Sequence, residues 1–159
     1  MSLQLELNTQ KRELLSGIVT GTLSSFAADW QVLKQICDTA LDNHLKRIVV
    51  DALAVQGIMK TIDRYTMGVK LVAYCGEHKC WPMLAFVGEP PVVNGFGALV
   101  ARNRGMDTEV FSNRKDALAW LYAAPSETAA LPSDSARLLR NAIRSQTDKY
   151  STIKNLQRL

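Results

Sequence analysis

The chain has 159 residues, 47% of them apolar and 21% charged, with a net charge of +4. That length provides one domain with one core, and the composition excludes a disordered chain, a collagen-like fibre and a disulfide scaffold. The charge is unevenly placed: residues 1–125 carry 13 lysines and arginines against 12 acids, and residues 126–159 carry six against three.

A nucleic-acid-binding domain is expected to hold its basic patch on the folded body, so this distribution argues against nucleic acid as a partner. Three cysteines without framework spacing fit a reducing compartment. No stretch approaches the ~20 apolar residues that span a bilayer. The first residues, MSLQLELNTQKRELL, lack the apolar run of a signal peptide. The expectation is a cytoplasmic protein with no transmembrane segment.

Leu3, Leu5 and Leu7 alternate with polar residues, and Asn8–Arg12 is turn-prone. A second β-rich run, Leu14–Thr20, follows, so the two read as a hairpin. Ser24 or Ser25 is placed to cap a helix. Its apolar stripe is Trp30, Leu33, Cys37 and Leu41, broadened by Ile36 and Ala40. Ile48–Val50, ending in Asp51, reads as a strand covered on both faces, with a loop over Ala52–Gly57. Ile58, Ile62, Tyr65, Val69 and Val72 recur at helical spacing and predict the buried face of a second helix. Gly68 inside it costs about 1 kcal/mol relative to Ala, which points to close packing.

Met83–Val87 is a third buried run, stopped by Gly88-Glu89-Pro90-Pro91. Phe96, Leu99 and Val100 mark a short helix, Glu109–Phe111 a last strand, and Ser112 or Asn113 the cap of a last helix packed through Ala117, Leu118, Trp120 and Leu121. Strands alternating with helices imply right-handed crossovers and parallel pairing of the later strands.

The blocks VVDALAVQG, TIDRYTMG, MLAFVGEPP, FGALVARNRG and VFSNRKDALAWL, in this order over residues 3–123, resemble the bacterial STAS-like (SpoIIAA-like) proteins. The resemblance implies an α/β fold: a mixed five-stranded sheet with an N-terminal antiparallel hairpin and helices packed on it. It implies kinship with anti-sigma-factor antagonists and, more remotely, with CRAL-TRIO lipid carriers. It implies no catalytic residues and no cofactor. The antagonists carry a phosphorylatable serine after an aspartate at the central strand. Here Asp51 is followed by Ala52, Leu53 and Ala54, with no hydroxyl before Thr61.

Open α/β sheets bind ligands beyond the carboxyl ends of their strands, where helix N-termini hold anions. Asp51, Arg64, Glu89 and Asn113 fall at or near those loops and are the candidate ligand-binding residues. The simpler roles are an N-cap for Asn113 and an ion pair or surface position for Arg64. Cys75, His78 and Cys80 offer soft ligands, but structural zinc takes four, and a helix-to-strand turn accounts for them; no metal site is assigned.

Residues 1–124 thus form the α/β domain, and 125–159 a linker followed by a basic amphipathic helix over 136–157 with Leu139, Ile143, Tyr150 and Ile153 on one line. An isolated helix of that length is marginal in water, so its apolar line is expected to be covered, across a homodimer or by a protein partner. The function expected is a non-enzymatic regulatory or protein-interaction module. The competing function is a small-molecule or lipid-binding domain, which needs an apolar cavity.

Overall fold

A computed structural model describes residues 2–11 and 13–123. Its elements follow in the order β1 (Gln4–Gln10), β2 (Leu14–Thr22), α1 (Phe26–Asp42), β3 (Arg47–Gln56), α2 (Thr61–Glu77), β4 (Met83–Val87), α3 (Phe96–Arg102), β5 (Thr108–Phe111) and α4 (Arg114–Ala123). The strands make one five-stranded sheet in the order β1-β2-β3-β4-β5. β1 and β2 are the antiparallel hairpin, with Leu5 opposite Val19. The β2–β3, β3–β4 and β4–β5 pairings are parallel. Each parallel neighbour is reached through a helix, as a parallel crossover requires.

Register and pleat decide the layers. Leu15, Ile48, Leu84 and Thr108 are partners across four strands, and all are buried. Leu15, Ile48 and Leu84 pack into the core cluster with Trp30, Leu33, Ile36 and Cys37 of α1, Leu71 and Cys75 of α2, and Ala101 of α3. Side chains one residue along point to the opposite face. There Ser16 accepts a hydrogen bond from Nη2 of Arg114 in α4 at 2.8 Å, and Phe111 meets the Trp120 ring at 5.7 Å. Helices α1, α2 and α3 therefore cover one face, and α4 lies on the other. The cap of α1 is Ser25, whose hydroxyl accepts from the Ala28 amide.

The structure departs from the sequence expectation in three places. The hairpin turn is shorter than Asn8–Arg12, because β1 continues to Gln10 and pairs with Leu14. β3 does not end at Asp51. Residues expected as the loop Ala52–Gly57 extend the strand to Gln56, pairing Ala54–Gln56 with Thr20–Thr22 across a register shift. Such a bulge bends the strand and lets pairing resume; burial of Val55 on the core cluster rewards it.

The third departure is the face of α2. Its buried positions are Arg64, Gly68, Leu71 and Cys75. Ile58, Ile62 and Tyr65, expected inside, are 75%, 65% and 42% exposed. Gly68 explains this, since α3 crosses there: a methyl on Gly68 would stand 2.6 Å from the Gly97 carbonyl oxygen. Only a face without a side chain at that point admits the crossing. The short helix expected from Phe96, Leu99 and Val100 is α3, in which Ala98, Val100 and Ala101 are buried and Leu99 is exposed. The linker and the helix expected over 136–157 lie outside the described residues.

Candidate functional site

The four expected ligand residues sit at the carboxyl end of the sheet, and the structure gives three of them local roles. Asp51 is opposite Val87, and Val87 opposite Phe111. Glu89 and Asn113 thus follow the ends of β4 and β5, and Asp51 lies inside β3 where its pairing with β4 stops. Asp51 accepts the Leu53 amide at 3.1 Å, holding the chain where the β3 bulge begins. Asn113 is the N-cap of α4: it accepts the Asp116 amide at 2.9 Å and returns a hydrogen bond to the Asp116 carboxylate at 2.8 Å. Glu89 is exposed.

Arg64 is on the other side of the sheet from Asp51, under the loop that follows β4. Only 8% of it is exposed. Its Nε donates to the Met59 carbonyl at 3.0 Å, Nη1 to the Val92 carbonyl at 2.8 Å, and Nη2 to the Pro91 carbonyl. Burial draws its pKa down from the ordinary arginine value. The guanidinium therefore ties the β4–α3 loop and the entry to α2 together.

Beside Arg64 are two apolar clefts that share Leu33, Met67, Phe86, Val92 and Val93. The one reaching β2 and β3 has a volume of about 160 Å³ and carries one acid, Asp29, on its wall. Asp29 is buried and accepts the Ser24 amide at 3.3 Å. Desolvation raises its pKa above the ordinary carboxyl value, with the Ser24 hydrogen bond opposing.

The largest departure from ordinary surface chemistry is outside these clefts. Leu53 in β3, Ile58 in the loop after it, and Ile62 and Tyr65 in the first turns of α2 are all exposed, Leu53 by 52%. Single exposed apolar residues are normal; several together on one region mark a contact surface. Tyr65 is held at the edge of this region by Arg104, whose Nη2 donates to the phenol oxygen at 3.1 Å and whose guanidinium lies 5.4 Å from the ring centre. The sequence placed Ile58, Ile62 and Tyr65 on the buried face of a helix, because their spacing is that of an amphipathic helix, and Leu53 in a loop. The competing signal was Arg64, Gly68, Leu71 and Cys75 at four-, three- and four-residue steps, a stripe disguised by an arginine and a glycine.

Two solved structures are similar to this chain. An anti-sigma factor antagonist from Mycobacterium paratuberculosis superimposes with a TM-score of 0.52 at 17% sequence identity, over 76% of this chain and 94% of that one. An uncharacterized protein with a SpoIIAA-like fold from Shewanella loihica covers the same shares at 17% identity and a TM-score of 0.48. At this identity the first likeness is one of fold, and the fold is the STAS-like one expected from the sequence blocks. No family model matches the chain, and no curated protein does. Among the described residues, no helix is long and apolar enough to cross a membrane.

Proposed function

We propose that this chain is a regulatory protein-interaction module without catalysis of its own, acting in the cytoplasm. The observation that carries the reading is the exposed apolar region of Leu53, Ile58, Ile62 and Tyr65. Each such side chain gains about 1.5–3 kcal/mol when fully buried, so a partner that covers several of them gains binding energy. Aromatic and arginine side chains are the residues that anchor protein interfaces, and Tyr65 with Arg104 supplies that pair. The fold shared with an anti-sigma factor antagonist supports an interaction role. A phosphoserine switch at the central strand has no hydroxyl to use between Asp51 and Thr61, so the proposed contact is constitutive or controlled elsewhere.

Self-association through Leu139, Ile143, Tyr150 and Ile153 belongs to the same proposal and rests on sequence alone. Sedimentation of the chain with and without residues 126–159 tests it; an unchanged subunit number removes it.

The interaction region is tested by placing a photoreactive residue at Ile62, and at Glu6 on the edge strand as a control, in the producing cell. The reading predicts a discrete protein adduct from position 62 and none from position 6. Equal adducts from both, or none from either, would remove its support.

One observation favours a second reading, a small-molecule-binding domain. An apolar cavity of about 150 Å³ holds a benzene-sized guest, and the cleft beside Asp29 has about 160 Å³. It does not have the room of a lipid chain. Saturation-transfer NMR with benzylamine and toluene tests it; absence of transfer from both counts against this reading.

A further inference from the structure

Helix α2 ends in a Schellman turn. The Cys80 amide donates to the Cys75 carbonyl at 3.0 Å, and the Lys79 amide donates to the Gly76 carbonyl at 3.2 Å. Lys79 supplies the left-handed residue, with φ 50°. This motif folds the chain back so that the residue two beyond the cap meets the residue three before it. With His78 as the cap, those two residues are Cys80 and Cys75. A direct amide-to-carbonyl bond keeps their α-carbons within about the 4.4–6.8 Å that disulfide geometry uses.

A third thiol completes the arrangement. Cys37 of α1 belongs to the same buried cluster as Cys75. Cys37, Cys75, His78 and Cys80 all line one small opening. Cys37 and Cys75 are buried, and Cys80 is half-buried. Burial pushes the Cys80 thiol up. Cys80 is nonetheless the sulfur that solvent reaches, and Cys75 is the buried thiol at the same opening.

We propose that Cys75 and Cys80 form an oxidation site that closes to an intramolecular disulfide when the protein meets a peroxide. Hydrogen peroxide transfers one oxygen to the Cys80 sulfur, giving a sulfenic acid and one water. The Cys75 sulfur then attacks the Cys80 sulfur. The new S–S bond forms as the S–O bond breaks, and the leaving hydroxide takes the Cys75 proton to become a second water. Two thiols are oxidised by two electrons and one peroxide is reduced. The product staples the last turn of α2 to the entry of β4, at the end of α2 away from the exposed apolar region.

The test treats the full chain with hydrogen peroxide, alkylates the remaining thiols and digests with trypsin. Cleavage after Lys34, Lys46, Lys70, Lys79 and Arg102 puts Cys37, Cys75 and Cys80 on peptides 35–46, 71–79 and 80–102. The proposal predicts a link between 71–79 and 80–102, with Cys37 alkylated. A link between 35–46 and 71–79 overturns it. So do three alkylated thiols at a peroxide dose that converts free cysteine to cystine.

Discussion

Replacing Gly68 by alanine sets two effects of known size against each other. In an open helix the change is stabilising by about 1 kcal/mol, because alanine restricts the unfolded chain and favours the helix. At Gly68 the added methyl would meet the Gly97 carbonyl oxygen at 2.6 Å and two Val100 carbons at 3.0 Å. The first contact is with backbone, so α3 must move as a unit. Overpacking of this kind costs about 1–3 kcal/mol. With the upper half of that range applying to a backbone clash, the net change is about 1–2 kcal/mol of destabilisation.

Gly76→Ala is the control in the same helix. There the new methyl would lie 3.7 Å from the Trp81 ring, an ordinary contact, so the sign should be positive. Thermal unfolding followed by circular dichroism reads both. A kcal/mol corresponds to about 2–8 °C in the size range of this domain, so Gly68→Ala should melt lower than wild type by several degrees and Gly76→Ala no lower. If Gly68→Ala is as stable as Gly76→Ala, α3 does not cross α2 at Gly68, and the assignment of the buried face fails with it.

Two further substitutions test the loop anchor and the buried acid. Arg64→Met keeps the apolar stem but removes the donors to Met59, Pro91 and Val92; it should destabilise by about 2 kcal/mol and speed amide exchange over residues 89–95, and unchanged exchange there would contradict the anchoring role. Asp29 has a raised native pKa, so the native state holds its proton to higher pH than the unfolded state does, and stability falls as pH rises from the ordinary carboxyl range through the raised value. Asp29→Asn should therefore gain melting temperature relative to wild type at pH 7 and lose that advantage below the ordinary carboxyl range, whereas a variant less stable than wild type at pH 7 would show that the charged form is favoured in the fold.

The fold was largely legible because its signals are local. Alternation in Leu3, Leu5 and Leu7 announced β1, and continuous apolar runs announced β3 and β4. Ser25 and Asn113 were readable as caps from side-chain chemistry alone. What misled was a helix with two candidate faces. Periodicity identifies α2 as amphipathic but does not say which stripe meets the sheet when the true one contains Arg64 and Gly68. That choice is made by α3, a neighbour distant in sequence.

The candidate site was hidden for the same reason, since Ile58, Ile62 and Tyr65 become an exposed surface only once the other face is buried. Glu89 and Asn113 follow β4 and β5 as expected, whereas Asp51 lies inside β3, and the local hydrogen bonds that engage Asp51 and Asn113 are a property of the folded chain. The meeting of Cys37 with Cys75 joins two helices, and no spacing rule brings it out of the sequence.

The central claim is that the apolar region at the start of α2 is a surface for another protein rather than unrecorded core. The most direct measurement is the double variant Ile58→Asp/Ile62→Asp, read for thermal stability and for the protein adduct formed by a photoreactive residue at Tyr65. Exposed positions tolerate substitution within about 0.5 kcal/mol, so the account predicts an unchanged melting temperature and loss of the adduct. A marked fall in melting temperature would show that these side chains are packed, and an adduct that persists in the folded variant would place the partner elsewhere.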